Sequence, residues 1–148
     1  PSRGLGDVYK RQQQPRSIRR SAYDVELIDR ADNTWLVVLQ QTVHHMQNFH
    51  PGEKRTCGIL VSPAVMGDLQ AVMDTTILDR TVLDAAVSLV QDAKGLEFDY
   101  VIIADPVGMV EASPQGLNDL FVAMTRATQA LAIVHDGAVP YCLSDLVE

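Results

Sequence analysis

Two short segments hold the residues best suited to chemistry. The first, QDAKGLEF from Gln91 to Phe98, places a base, a glycine and a carboxylate (Lys94, Gly95 and Glu97) between two apolar runs. Gly95 permits backbone geometry that other residues resist, which leaves the neighbouring N–H groups able to face a ligand. The second, around Arg126, closes a stretch in which Leu117, Leu120, Phe121 and Met124 recur at helical spacing. At about 100° per residue, Arg126 falls roughly opposite Leu117, on the side of Asp119 and Val122. A guanidinium there could neutralise an anion. A solvated arginine favoured by the helix C-terminal dipole, worth about 0.3–1 kcal/mol, would account for it equally well if it stood alone.

The elements around these segments alternate. Tyr23, Val25 and Leu27 alternate with Asp24 and Glu26 as a strand ending near Ile28. Asp32 or Asn33 can cap a helix bearing Trp35, Leu36, Leu39, Val43, Met46 and Phe49, which Pro51-Gly52 ends. Cys57 to Val61 is a short buried strand. Ser62-Pro63 opens a helix with Val65, Leu69, Val72 and Met73 on one face. The stretch from Asp74 to Ala86 is ambiguous. Ala86–Val90 and Tyr100–Ala104 look like buried strands, and the unbroken apolar run Val101-Ile102-Ile103 suits a sheet covered on both faces. Ser113-Pro114 starts a helix running to about Ala127, and Leu131–Val134 is the last strand. Strands alternating with helices predict an α/β domain with a mostly parallel sheet flanked by helices. In such sheets ligands bind at the carboxyl ends of the strands, and Lys94 and Glu97 follow the carboxyl end of one.

Composition narrows the classes further. The chain has 148 residues, 47% hydrophobic, with 12 Lys and Arg against 19 Asp and Glu. It is long enough for one well-buried domain. From Thr56 to Glu148 there are thirteen acidic residues and three bases, Arg80, Lys94 and Arg126. That balance gives no electrostatic footprint for wrapping nucleic acid, whose non-specific affinity comes from phosphate neutralisation. No apolar run approaches the roughly 20 residues that span a bilayer. Cys57 and Cys142 are too few for a disulfide framework, so a soluble cytoplasmic domain is expected. Residues 1–12, PSRGLGDVYKRQ, resemble translated adapter sequence, and residues 13–22 read as a basic connector, leaving 23–148 as the domain. His44, His45 and His50 lack partners at zinc-ligand spacing, so no metal site is expected. Cys57, Trp35 and the methionines read as core, and Arg19-Arg20 as solvated connector.

Taken together, the two segments carry a resemblance. DAKGLEFDYVIIADP followed by LFVAMTRATQALAIVH resembles motifs V and VI of UvrD/Rep-type superfamily 1 helicases, in the same order and at a similar separation. The likeness covers Gln91 to His135 by motif and Tyr23 to Val90 by layout. It implies the C-terminal RecA-like lobe, a three-layer domain, of an ATP-dependent DNA helicase or translocase. Arg126 would be the arginine finger that reaches the γ-phosphate of ATP. Lys94, Gly95 and Glu97 would form the nucleotide-facing turn, with Glu97 accepting a hydrogen bond from the ribose. Gln91 and Asp92 would lie near the nucleic-acid backbone, Asp92 standing where a small hydroxyl residue is common. Thr125 would couple nucleotide state to the track.

The sequence contains no GxxxxGK[ST] and no DExx-like run after a strand. The resemblance therefore implies that Mg²⁺ is held by an N-terminal RecA-like lobe, that motif IV lies before about Arg16, and that this segment alone is inactive. The expected partners are that lobe, single-stranded or duplex DNA, and no membrane. About sixty residues separate Tyr23–Ile28 from Gln91, too few for the mobile subdomain that interrupts this lobe in the large helicases. The compact layout resembles HelD-type (helicase IV-like) proteins, some of which act on RNA polymerase. The alternative from another class is a non-catalytic RecA-like module that docks on RNA polymerase or another protein. A helicase–nuclease subunit finds no nuclease carboxylate cluster to support it.

Overall fold

Five consecutive residues, Tyr100 to Ala104, are buried, and this run fixes the layering of the domain. A strand exposed to solvent on neither face needs helices on both sides. In the computed structural model, which describes residues 24–49, 52–53, 55–72 and 85–146, that is the arrangement. The adapter-like segment, the connector, Tyr23, His50, Met73 and most of the ambiguous stretch lie outside the described residues.

The strands are β1 (Asp24–Asp29), β2 (Cys57–Val61), β3 (Ala86–Leu89), β4 (Phe98–Ala104) and β5 (Ala127–His135). They form one five-stranded sheet in the order β1-β5-β4-β2-β3. All four pairings are parallel. The helices are α1 (Trp35–Gln47), α2 (Pro63–Val72), α3 (Pro106–Glu111) and α4 (Gly116–Met124). The expected α/β class is therefore the observed one.

Alternation along the strands sorts the core. Ile59, Val61, Tyr100, Ile102 and Val134 face α1 and α2 through Trp35, Leu39, Val43, Met46, Val65 and Leu69. Leu60, Val101, Ile103, Leu131 and Ile133 face α3 and α4 through Met109, Leu120, Ala123 and Met124. Each fully buried aliphatic side chain contributes about 1.5–3 kcal/mol of burial free energy.

Besides β3, which is a half-exposed edge strand and not the buried strand expected, three local readings need correction. The cap of α1 is Thr34, not Asp32 or Asn33: its hydroxyl accepts from the Val37 amide at 3.2 Å. On α2 only Val65 and Leu69 are buried, while Val72 is two-thirds exposed. The third concerns α4. Its buried residues are Gly116, Leu120, Ala123 and Met124, whereas Leu117 and Phe121 are 45% and 44% exposed. The cause lies in the unexpected helix α3, which Pro106 opens at a position where its missing N–H costs nothing. A Cβ on Gly116 would stand 2.0 Å from the Val110 carbonyl oxygen and 2.5 Å from that of Met109. The backbones of α3 and α4 approach that closely only because the smallest residue faces inward, and this turns Leu117 and Phe121 outward. Gly116→Ala is expected to destabilise the domain by about 3 kcal/mol, the upper range for overpacking, and a fall in melting temperature measures it.

Candidate functional site

Connections from β1 and β2 run over the first face toward β3, and those from β3 and β4 run back over the second toward β5. The chain therefore diverges between neighbouring strands β2 and β4, and the crevice at their carboxyl ends is where an open α/β sheet would bind a ligand. In this protein that crevice holds two of its own side chains. Ser62 follows β2 and Asp105 follows β4. Asp105 Oδ2 accepts from the Ser62 hydroxyl at 2.7 Å, and its Oδ1 accepts from the Gly108 amide at 3.1 Å. Ser62 Oγ in turn accepts from the Val65 amide at 3.2 Å. The starts of α2 and α3 are thus capped internally, and Asp105 adopts left-handed geometry (φ 67°) to do it.

The residues singled out from sequence meet at the opposite edge. After β3 the chain crosses the second face through a single 3-10 turn, Val90–Ala93, anchored by buried Val90 and Ala93. The Leu96 amide then donates to the Ala93 carbonyl at 3.1 Å, closing a turn in which Gly95 has φ +79°. Nothing lies within 4 Å of where a Gly95 Cβ would be, so its backbone angle and not space calls for glycine. Leu96 and Glu97 follow, at the amino end of β4. Arg126 lies at the amino end of β5, directly after α4. The carboxyl-edge location expected for Lys94 and Glu97 is therefore wrong: the 3-10 turn and the glycine turn after it carry the chain back along the sheet, and Glu97 leads into β4 at the amino edge.

Arg126 is joined to the KGLEF turn twice. Its carbonyl accepts from the Phe98 amide at 2.9 Å, and its Nη1 donates to the Leu96 carbonyl at 3.3 Å. Nε donates to the Val122 carbonyl at 3.3 Å, and Nη2 to the Thr125 hydroxyl at 3.4 Å. The guanidinium is half-buried against its own backbone and does not extend from the far side of α4. Thr125 is the C-cap of α4, its hydroxyl donating to the Val122 carbonyl at 2.7 Å. Lys94, Glu97, Gln91 and Asp92 are exposed around this core. Leu96 escaped sequence reasoning because it takes part through its carbonyl, which no side-chain pattern signals. A planar cation beside a glycine turn and an exposed carboxylate can receive a polyanion and a hydroxyl together.

The remaining polar groups serve the scaffold. His45 Nε2 lies 2.9 Å from Glu26 Oε1, and its ring meets Phe49 edge-on, tying α1 to β1. Among the described residues, no three His, Cys, Asp or Glu side chains group as a metal site. The Ala31 amide, donating to Asp29, holds that carboxyl below its usual range, against a smaller opposing effect of desolvation. Burial pushes the Cys57 thiol up to about 12, and Cys142, although exposed, is also raised by partial desolvation. A thiol reagent at pH 8 is expected to modify Cys142 alone in the folded protein and both cysteines after denaturation; mass spectrometry counts the labels. A cavity of about 460 Å³ lies on the first face, away from Arg126, beside Arg30, Trp35, Asp68 and Leu69. There the Arg30 guanidinium sits 4.8 Å from the Trp35 ring centroid and 3.4 Å from Asp136. Among the described residues, no helix is long and apolar enough to cross a membrane.

Residues 84–134, which span β3 to β5 and both segments, match the family of UvrD-like helicase C-terminal domains. Among solved structures, the chain is similar to the C-terminal domain of a possible DNA helicase from Lactobacillus plantarum WCFS1. That likeness has a TM-score of 0.51 and 20% sequence identity, covering 84% of this chain and 80% of the other. At that identity it is the fold that is shared. A search of curated proteins found no match.

Proposed function

We propose that this domain is the second motor lobe of an ATP-dependent, UvrD-like DNA helicase or translocase. It would supply Arg126 as the arginine finger and one wall of an ATP cleft shared with an N-terminal RecA-like lobe. The observation that carries this reading is the meeting of Arg126 with the KGLEF turn at one edge of the sheet. The match over residues 84–134 supports it by covering both segments.

In this reading the γ-phosphate is met by a planar fork of N–H donors, and Glu97 accepts a hydrogen bond from the ribose. Lys94 and the Gly95 turn line the same wall. ATP and its Mg²⁺ would be held mainly by the N-terminal lobe, with Gln91, Asp92 and Thr125 toward the DNA side. Exposed Leu96, Leu117 and Phe121 lie around the guanidinium and along α4, apolar surface suited to contact with another lobe. The compact spacing before β3 favours the HelD-type subtype.

This lobe alone is expected to turn over no ATP, and joining it to its native N-terminal lobe is expected to give DNA-stimulated turnover. Within that joined protein, Glu97→Gln weakens a charge-assisted hydrogen bond, and the KM for ATP is expected to rise about tenfold with kcat nearly unchanged. An unaltered KM removes Glu97 from the cleft. Binding to RNA polymerase with no ATP turnover in the joined protein would instead establish the docking module.

A further inference from the structure

One residue far from the KGLEF segment in sequence controls where that segment can sit. Gly58 is in β2, paired with Val101 of β4 and Ala86 of β3. Its neighbours Cys57 and Ile59 face α1 and α2, so its own missing side chain leaves a gap on the second face. The Phe98 ring fills that gap. A Cβ on Gly58 would stand 2.6 Å from two ring carbons of Phe98 and 2.9 Å from a third, closer than such atoms approach. Phe98 is the last residue of the KGLEF turn, and its amide makes the 2.9 Å bond to the Arg126 carbonyl. Arg126 in turn reaches the Leu96 carbonyl, two residues before Phe98, at 3.3 Å. Ring, turn and guanidinium thus form one connected unit resting on a bare stretch of β2. A glycine inside β2's apolar run signals close approach, and the ring is what approaches.

We propose that Gly58 is a positioning residue for the Arg126 site: by omitting a side chain it seats the Phe98 ring and thereby sets the Leu96–Arg126 geometry. A methyl group at Gly58 lifts the ring from the sheet, and the Phe98 amide separates from the Arg126 carbonyl. The structural half of this proposal is independent of what the site does. Its functional half rests on the motor reading given above.

The test uses the full-length protein in four forms: wild type, Gly58→Ala, Phe98→Leu, and the Gly58→Ala/Phe98→Leu double variant. Leucine keeps an apolar anchor but can turn its shorter chain away from an added methyl. Hydrogen exchange at the Phe98 amide reads the geometry directly. Gly58→Ala is expected to speed that exchange about tenfold or more and to lower the ATPase kcat about a hundredfold, with a smaller change in KM. The double variant is expected to recover most of both. Exchange unchanged in Gly58→Ala, or an effect that Phe98→Leu fails to rescue, overturns the proposal. Should Gly58→Ala fail to fold, the double variant decides: folding restored with near-wild-type exchange at residue 98 supports the proposal, and a double variant that also fails to fold overturns it. If exchange follows the expected pattern while Arg126→Ala leaves ATP turnover intact, the motor reading fails and the positioning role stands.

Discussion

Arg126→Ala, made in the full-length protein, is expected to lower the ATPase kcat by about 10³–10⁵-fold, the range for arginine fingers. At 1.36 kcal/mol per decade this corresponds to about 4–7 kcal/mol of transition-state stabilisation. The three donor contacts it makes within the lobe are long, between 3.3 and 3.4 Å, so removing them should disturb folding little. Melting temperature and kcat should therefore separate, the first nearly unchanged and the second collapsing. Arg126→Lys is expected to rescue poorly. An ammonium is a point charge without the planar fork, and it cannot hold the Leu96 and Val122 carbonyls while meeting a phosphate. A loss below about tenfold in Arg126→Ala would reject the finger assignment, because no arginine finger is worth so little.

The second large effect concerns stability. Asp105→Ala is expected to destabilise the domain by about 2–4 kcal/mol. Three costs combine. The start of α3 loses the cap at the Gly108 amide, typically about 1 kcal/mol. The Ser62 hydroxyl, fully buried, loses the acceptor it meets at 2.7 Å, at about 1–3 kcal/mol. Alanine must then hold left-handed geometry without the short polar side chain that helps aspartate tolerate it. Asp105→Asn keeps an acceptor and that tolerance, and should cost about 1 kcal/mol or less. Denaturant melts of the three proteins test the order wild type, Asn, Ala. Gly108 belongs to the same arrangement, since a Cβ there would stand 2.0 Å from Asp105 Oδ2.

The limits of sequence reasoning follow physical lines. The buried strands were legible because Val101-Ile102-Ile103 and Cys57–Val61 leave no polar alternation to place on a wet face. Lys94, Gly95 and Arg126 were visible by residue type, but only the resemblance to helicase motifs V and VI implied that they belong together; two hydrogen bonds join Arg126 to the turn. Which face of α4 is buried was not legible. Leu117/Phe121 and Gly116/Leu120/Ala123 both satisfy helical spacing, and only the approach of α3 decides between them. The edge of the sheet was misjudged because a residue that follows a strand in sequence need not stay at its end. The eight residues from Val90 to Glu97, a 3-10 turn followed by the glycine turn, return the chain to the amino side. The Leu96 carbonyl left no trace because it acts through its backbone, whereas the glycine inside the Cys57–Val61 run was a sign of close approach that did not say what approaches.

The pairing of β1 with β5 joins Asp24 to Ala130 and Asp29 to His135, bridging nearly the whole described chain. No other strand pairs with β1 among the described residues. Among the described strands β1 is made before the rest, and its pairing with β5 cannot form until a segment about a hundred residues later has emerged from the ribosome. The interval is open to wrong partners, and loop closure on that scale slows folding. A truncation that removes β5 would therefore also leave β1 without its one partner among the described strands, so the two strands stand or fall together.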